Sequence, residues 1–472
     1  MDKTTRYLSL DLLRGLTIFG MVFCAIIPYG VLPAWMYHIQ NPPPTHQLDM
    51  TIAGLSWVDM VFPIFIFCMG VSIPMAGRAK IESGTTAKRY ITEVLGRFIM
   101  LWAFSYLYVF LNYCSNRAPD GSSYNPLLTS ALTIAGFLSL FPLYTVFKGR
   151  SVRFVCGMRI LGIVLCLSII TAGHYFFNET ITLHRRGIII FLLAFLYLFG
   201  ALIWYFTRDS YRNRALIFGL ILCITMASMY EKMPAITYAN PKISWWFNVE
   251  YIYFLLLLLP ATFIGDTLQK RLTASAAGEN IYKELTGKKM HIFFPTILVL
   301  VIWAILAVYM RWYWLNLIVS CGFLVLLRQF VKRDFAMYRT LFVTAAYLLV
   351  CGLIIEPIDG GLKKVPCTIQ YCLVTCALSI FLLMFCDYVC KHIPDSLPVK
   401  ILTGAGKNPL MSYIAFDSFM MPLMKLTGFI YLYNMAYPAG IRWAGIIRAA
   451  SIVLFTMWCV SLLSKRKIYW KA

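Results

Sequence analysis

The sequence predicts an all-α integral membrane protein, a bundle of helices that crosses the bilayer many times. The 472 residues are 60% hydrophobic and only 13% charged, whereas about a quarter of the residues of a soluble domain are charged. The mean hydropathy is +0.73. Apolar runs of about 18 residues or more recur along the chain, and each can cross roughly 30 Å of hydrocarbon as a helix. A soluble core could not bury so many runs.

Hydropathy predicts about fourteen transmembrane helices, within a range of ten to fourteen. The net charge is +22, from 42 Lys and Arg against 20 Asp and Glu. Basic residues concentrate in alternate loops, whereas loops 30–51 and 426–441 contain none. The positive-inside rule therefore places both termini in the cytoplasm and accounts for the charge without nucleic acid. Residues 184–186 and Lys363-Lys364 depart from this pattern, because they fall in loops expected outside.

One transmembrane domain is predicted over residues 1–472, with an outer loop at 30–51 and an inner amphipathic loop at 267–290. The fourteen cysteines are scattered mostly through apolar runs. They lack Cys-x-x-Cys pairs, so they indicate neither a disulfide framework nor a metal site. No internal repeat of the kind found in many secondary transporters is apparent.

Ionisable residues inside spans are candidates for function, because each costs roughly 2.5–3.5 kcal/mol to insert. Asp11 and Arg14 are three residues apart and share one face of the first span, where they can also simply neutralise each other. Asp59 lies in the second span, and Pro63 leaves the backbone carbonyl of Asp59 without its helical donor. A carboxylate beside such a break suits a cavity wall better than a lipid-facing surface.

Further along the chain, Asp387 and Arg448 lie close enough to an interface for their charges to reach water. Asn408 follows the small residues 404–406 and precedes Pro409. Unwound backbone there favours binding of an anion or a polar ligand. An inner-surface loop with Asn408 as a helix cap explains the same residues equally well.

The outer loop 30–51 contains three successive prolines, which hold the chain extended and stiff. They would present His46 and Asp49 at the mouth of a cavity enclosed by the first two spans. Histidine suits general-base work near neutral pH, although a lone loop histidine is usually solvated surface. His38 and His46 are eight residues apart on an extended segment, which is not a spacing for metal ligands.

Three stretches together resemble the heparan-α-glucosaminide N-acetyltransferase family of transmembrane acetyltransferases, in what looks like a bacterial branch. The first, residues 6–15, is similar to the family's Arg-x-x-Ser-x-Asp-x-x-Arg-Gly opening. The second, residues 54–73, is close to its Gly-x-Thr-x-x-Asp-Leu-x-Phe-Pro block. The third comprises 406–413 and the closing 466–471. The matches cover about a fifth of the chain, at both ends, and leave its middle unmatched.

The resemblance implies an enzyme of the bacterial cytoplasmic (inner) membrane that takes acetyl-CoA from the cytoplasmic side. It would pass the acetyl group to an amine or hydroxyl of a sugar or glycan on the far side. The partners implied are the lipid bilayer and that acceptor, with no nucleic acid and no metal. A homodimer is compatible with the sequence.

In the resembled family the catalytic histidine precedes the Asp-Leu-x-Phe-Pro block by about ten residues. Asp49 occupies that position here, and His46 is three residues further away. The resemblance implies His46 as general base, because a slightly longer loop costs little closure entropy, with His38 as the second choice. Asp49 or Asp59 would orient the imidazole.

The remaining implied site residues belong to acetyl-CoA. Asp11, Arg14 and Asn408 would line a passage for the acetyl-pantetheine arm, and inner-loop cations would meet the CoA phosphates. These cations are Arg78, Lys80 and Lys88. A covalent acetyl-histidine relay and direct transfer both stay open.

Two hypotheses of other classes stand beside the enzyme. A transporter or flippase for a polar or sugar-linked substrate also needs intramembrane charges and broken spans. A non-catalytic binding protein on the same scaffold would follow if the displaced histidine carries no chemistry. Binding of CoA would favour the enzyme, and dependence on a proton gradient would favour the transporter.

Overall fold

A computed structural model describes residues 7–114, 124–177, 182–229, 246–276, 287–437 and 441–471. These residues form helices joined by turns and loops, with one isolated β-bridge between Thr145 and Trp470. The chain is therefore a polytopic helical membrane protein, which confirms the predicted fold class. The centre of the predicted inner amphipathic loop, around Ile281, Tyr282 and Leu285, lies outside the described residues.

The helices are α1 (Leu8–Ile26), α2 (Trp57–Glu82), α3 (Ala87–Phe110), α4 (Pro126–Tyr144), α5 (Val152–Phe177), α6 (Ile188–Thr207), α7 (Tyr211–Met229), α8 (Glu250–Tyr253), α9 (Leu255–Ala276), α10 (Met290–Tyr309), α11 (Tyr313–Arg333), α12 (Arg339–Ile354), α13 (Ile369–His392), α14 (Leu397–Gly406), α15 (Pro409–Ala415), α16 (Met421–Leu426), α17 (Phe429–Met435) and α18 (Arg442–Lys465). A π-helical turn, Phe416–Met420, joins α15 to α16.

Twelve helical segments of the described chain are long and apolar enough to cross a membrane. The number lies within the predicted range and two below its upper value of fourteen. The two other predicted spans are α7, which begins with a polar Tyr-Arg-Asn-Arg turn, and the stretch 407–425. That stretch contains Pro409 and Pro422 and is broken into short helices around the π-helical turn.

Contacts divide the chain into two compact units, and the first comprises Met1–Thr17, Leu32–Leu95 and Phe195–Val399. Within it, α2 packs closely against α9. A Cβ added to Gly70 would lie 2.7 Å from the Cβ of Ala261, and one added to Gly265 would lie 2.4 Å from the carbonyl oxygen of Val71. Small residues at such positions let membrane helices approach at backbone distance.

The second unit comprises Ile18–Val31, Gly96–Ala194 and Lys400–Ala472. Here the C-terminal tail folds back onto the end of α4, where Val146 N donates to Tyr469 O and Lys471 N donates to Tyr144 O, both at 2.9 Å. The indole of Trp470 is 3% exposed and lies among four aromatic rings of α3 and α4. These are Phe104, Phe137, Phe141 and Tyr144.

Candidate functional site: a histidine–aspartate pair at the start of helix α2

Helix α2 begins with a capping box that fixes the carboxylate of Asp59. Ser56 is the N-cap, and its hydroxyl accepts from the Asp59 amide at 3.3 Å. In return, Asp59 Oδ2 accepts from the Ser56 amide at 3.3 Å and from its hydroxyl at 2.8 Å. Capping boxes satisfy otherwise unpaired amides at a helix start. The Ser-x-x-Asp spacing in the sequence therefore both begins the helix and sets the direction of the carboxylate.

The same carboxylate reaches out of the helix to the preceding loop. Asp59 Oδ1 lies 2.7 Å from His38 Nδ1, and Oδ2 accepts from the Ile39 amide at 3.1 Å. The Asp59 side chain is 3% exposed, whereas that of His38 is 40% exposed. A buried, multiply bonded carboxylate thus holds a histidine that stays accessible. With Nδ1 as the donor, the accessible nitrogen of the neutral ring is the unprotonated Nε2.

The proline break in α2 supports this geometry from inside the bundle. Pro63 has no amide proton to donate to the carbonyl of Asp59. The hydroxyl of Tyr371, on α13, donates to that carbonyl at 2.8 Å. Tyr371 is fully buried, so a side chain from a distant part of the sequence satisfies the freed group. The burial of Asp59 argues against a lipid-facing carboxylate, the alternative to the predicted cavity wall.

The loop that carries His38 is anchored to the segment between α12 and α13. The Gln40 amide donates to Val365 O at 2.5 Å and accepts from Val365 N at 3.0 Å. Gly54 N donates to Leu362 O at 2.8 Å. Side-chain amides that pair in both directions with a main-chain group fix a loop in place. His38 therefore belongs to an ordered part of the loop.

His46 and Asp49 lie in the same loop in a different arrangement. His46 adopts a positive φ of 51° and packs edge-on against Tyr37, with ring centroids 4.9 Å apart. Asp49 is exposed and accepts from the Thr51 hydroxyl at 2.6 Å and amide at 2.8 Å, bonds that lower the pKa of the Asp49 carboxyl. The carboxylate that orients a histidine here is that of Asp59, and its partner is His38 rather than the first-choice His46.

Asp11 and Arg14 form the expected ion pair, with Arg14 Nη1 at 3.0 Å from Asp11 Oδ1. Arg14 Nη2 also donates to the Ser72 hydroxyl of α2 at 2.8 Å. Ser72 is 13 positions after Asp59, which corresponds to about 20 Å along a helix. The pair therefore lies well away from the histidine, part-way along α2.

Arg78 is committed to a buried carboxylate near the other end of α2. Its Nε lies 2.7 Å from Asp266 Oδ1, and its Nη2 donates to Arg208 O at 2.9 Å. Arg214 Nη1 approaches Asp266 Oδ2 at 2.8 Å. Because Asp266 is completely buried, this group ties α2, α7 and α9 together. Its geometry favours a structural role for Arg78 over contact with CoA phosphates.

The two lysines predicted beside Arg78 are more accessible. The ammonium of Lys80 pairs with Glu93 on α3, and Lys88 is exposed at the start of α3. Asn408, by contrast, is fully buried. Its Nδ2 donates to Ile468 O at 3.2 Å, and its Oδ1 accepts from Trp470 N at 3.1 Å. Asn408 therefore fastens the C-terminal tail, which favours a structural role over a passage-lining one.

Asp387 carries a third buried carboxylate, which the sequence had been expected to place within reach of water. Asp387 is completely buried, so the expectation that its charge reaches water is wrong. Its Oδ2 accepts from the Tyr7 hydroxyl at 2.6 Å and the Tyr338 hydroxyl at 3.1 Å. Nothing in local sequence links three residues so far apart. Among the described residues, no group of three or more His, Cys, Asp or Glu side chains could hold a metal ion.

Fold and site together define a polytopic membrane protein with an ordered, accessible histidine at one end of its second span. The chain belongs to the family described as Domain of unknown function (DUF5009), whose model matches residues 6–268. That match includes α1, the loop with His38 and all of α2. No curated protein matches the chain.

Proposed function

We propose that this protein is a membrane-embedded acetyltransferase that moves an acetyl group from acetyl-CoA to an amine or hydroxyl of a sugar acceptor. The observation that carries the proposal is the 2.7 Å contact between His38 Nδ1 and the buried Asp59 carboxylate. Such a pair holds an imidazole in the tautomer and orientation that general-base catalysis requires. The resemblance of residues 6–15 and 54–73 to transmembrane acetyltransferases supports the same reaction class.

The chemistry needs one base and one leaving thiolate. His38 Nε2 removes the proton from the acceptor nitrogen or oxygen as that atom bonds to the acetyl carbonyl carbon. The carbon–sulfur bond of the thioester then breaks, and the CoA thiolate takes up the proton from the imidazolium. Asp59 stabilises the imidazolium while it exists. A covalent acetyl-imidazole relay would use the same Nε2 atom.

Helix α2 gives the reaction its direction across the membrane. Asp59 and Arg78 are 19 positions apart, which corresponds to about 28 Å of helix and matches the hydrocarbon thickness. We place acetyl-CoA on the cytoplasmic side, where Lys80 and Lys88 supply accessible positive charge for phosphates. The acetyl-pantetheine arm would extend past Asp11 and Arg14 toward His38. The membrane proposed is the cytoplasmic membrane of a bacterium.

Acetyl transfer by purified full-length protein tests this function. Labelled acetyl-CoA is supplied with a panel of amino sugars and cell-wall glycans. Since general-base groups contribute about 10²–10⁴-fold, His38→Ala is expected to lower kcat at least 100-fold and to leave CoA binding intact. His46→Ala is the matched control from the same loop and should stay within threefold of wild type.

In the same assay, Asp59→Asn tests whether the Asp59 carboxylate positions His38 for catalysis or only stabilises the fold. It should lower kcat and change the pH profile of the reaction, with the KM for acetyl-CoA unchanged. Absence of both CoA binding and acetyl transfer would refute the enzyme. Loss of activity in His46→Ala but not in His38→Ala would identify His46 as the general base in place of His38.

A transporter or flippase is the second candidate, because Asp59, Asp266 and Asp387 are ionisable side chains buried in spans. Such residues also mark ion and substrate pathways. Proteoliposomes decide between the two candidates. Transport would show substrate uptake that follows a proton gradient without acetyl-CoA, whereas the enzyme would show acetyl transfer that the gradient leaves unchanged.

A further inference from the structure

An apolar crevice of about 310 Å³ runs between α7, α12 and α13 in the first unit. Aliphatic, aromatic and sulfur-containing side chains supply most of its walls. Those used below are Met226 of α7, Leu348 and Cys351 of α12, and Leu373 of α13. Its volume falls within the range of small-molecule sites, about 300–1,000 Å³. The shape and chemistry suit a hydrocarbon chain.

The crevice opens on the surface of membrane-spanning helices. Tyr347 and Met226 in its wall are 68% and 48% exposed. α12 and α13 both belong to segments able to cross the membrane. An apolar cleft between membrane-spanning helices excludes water and is filled by hydrocarbon.

One end of the crevice carries positive charge. Ile358 belongs to its wall, and two residues later Gly360 O accepts from Arg311 Nη2 at 2.7 Å. A Cβ on Gly360 would lie 3.5 Å from Lys363 Nζ. Arg311 Nη1 is buried and has no hydrogen-bond partner. A guanidinium with a spare donor beside an ammonium is suited to a phosphate.

The same turn contains two acids, Asp359 and the buried Glu356, and the carboxyl of Glu356 interacts electrostatically with Arg311. The Glu356 carboxyl is fully buried and both oxygens lack a hydrogen-bond partner. Burial raises its pKa to about 7, so this acid is only partly ionised near neutral pH.

The same chain segment joins the crevice to the histidine. Gln370 lies in the crevice wall, and the next residue, Tyr371, bonds to the Asp59 carbonyl. Ile358 lies in the wall as well, and Val365 pairs with Gln40 in the loop of His38. The two sites thus adjoin neighbouring faces of one helix start, because successive residues of a helix point about 100° apart.

We infer that the acetyl acceptor is a lipid phosphate that carries a sugar. Its hydrocarbon chain occupies the crevice, its phosphate binds Arg311 and Lys363, and its sugar reaches across to His38. The inference rests on the proposed function and names its substrate class. The inference also accounts for Lys363-Lys364, two cations in a loop that the positive-inside rule predicts to lie outside and to be poor in Lys and Arg.

Photo-crosslinking tests the chain site without any acetyl transfer. Full-length protein in nanodiscs is irradiated with a polyprenyl phosphate that carries a diazirine in its chain, and labelled peptides are mapped. Label is expected on α7 and α12. Cys351→Trp, which fills the crevice, should reduce it at least tenfold, whereas Ile354→Trp on the exposed side of α12 should stay within twofold. Equal effects of the two variants, or no label in the crevice, would overturn the inference.

The phosphate site is tested with the same probe and its neutral polyprenol analogue. Arg311→Gln and Lys363→Gln should each weaken binding of the phosphate about fivefold or more and leave the polyprenol unchanged. Lys332→Gln, at the other end of α11, is the control and should alter neither. Equal affinity of the wild type for both probes would contradict a phosphate site.

Transfer assays then separate the two proposals. A polyprenyl-phosphate-linked amino sugar should be acetylated with a kcat/KM at least tenfold above that of its soluble methyl glycoside. Crevice labelling with no acetylation of either acceptor would refute the acetyltransferase and, with it, the acceptor role of the lipid. Acetylation of the glycoside without crevice labelling would refute the proposal of a lipid acceptor and would still support the acetyltransferase activity.

Discussion

At the scale of single residues, carboxyl groups in this protein differ according to the donors around them. Asp59 accepts hydrogen bonds from Ser56 and Ile39 and contacts His38. Glu356 is equally hidden from solvent, yet neither of its oxygens has a hydrogen-bond partner. Burial without donors disfavours the charged form of an acid. The Asp59 carboxylate is held in place beside His38, whereas the Glu356 carboxyl makes the stability of the protein depend on pH.

Stability should therefore fall as pH rises through the range in which Glu356 titrates. Its pKa is raised from 4.5 to about 7, so the folded state holds this proton more tightly than the unfolded state. The stabilisation is present below pH 4.5 and is lost as pH approaches 7. The loss is on the order of 3 kcal/mol at most.

Thermal unfolding of Glu356→Gln in detergent between pH 4 and pH 8 measures this effect. Glu356→Gln should lack the loss of stability that ionisation of Glu356 causes, and it should be more stable than wild type at pH 8. Glu82→Gln, at an exposed position, should follow wild type throughout. A decline of the same size in Glu356→Gln would exclude Glu356 as the cause.

At the scale of elements, the start of α2 follows local sequence rules, whereas the arrangement of the loop before it does not. Ser56 and Asp59 have the spacing of a helix cap, and Pro63 marks a freed carbonyl, so local rules point to a functional helix start. The choice between His38 and His46 depends on Gln40 and Val365, which are 325 positions apart. Periodicity and spacing carry no information about such a contact.

Asn408 is a second residue whose contacts could not be predicted from the local sequence. Its position before Pro409 was equally compatible with ligand binding and with helix capping. The structure instead pairs its side-chain amide with the main chain of the C-terminal tail. The partners are some sixty residues away, beyond the reach of any local pattern.

The tail itself should act as a structural part of the second unit. Trp470→Ala removes a buried indole from among four rings, and such truncations cost about 3–5 kcal/mol. Trp458→Ala, on the partly exposed side of α18, is the control and should cost about 1 kcal/mol or less. Thermal unfolding of the two variants provides the comparison. A Trp470→Ala variant as stable as Trp458→Ala would show that the tail contributes little.

At the scale of the whole molecule, composition and hydropathy were sufficient for the fold class. Twelve apolar helices of the described chain can cross a membrane. The upper value of fourteen also counts α7 and the broken stretch 407–425. Both numbers are even, and an even number of crossings returns the chain to the side on which it began. Both counts are compatible with the prediction that the two termini lie on one side, and the count that includes α7 also puts loop 30–51 and residues 362–365 on the same side, as the hydrogen bonds of Gln40 with Val365 require.

Topology reporters test that orientation directly. Alkaline phosphatase fused at the C-terminus should stay inactive, because the basic tail 465–467 is expected in the cytoplasm. The same reporter inserted after Gln47, in the loop expected outside, should be active. The reverse pair of results would place His38 and the proposed acceptor site in the cytoplasm.

The anchoring of the His38 loop has a consequence for how freely this protein can vary between species. Gln40 and Gly54 bond to the main chain of Val365 and Leu362, not to their side chains. At position 365 any residue with an amide proton can take part, and at position 362 any residue can. Substitutions of Val365 that keep its amide proton should therefore leave the histidine in place, whereas Leu362 is completely buried and Lys363 belongs to the proposed phosphate site. Relatives that share this site should be recognised by a glutamine two positions after the histidine and by Ser-x-x-Asp at the helix start.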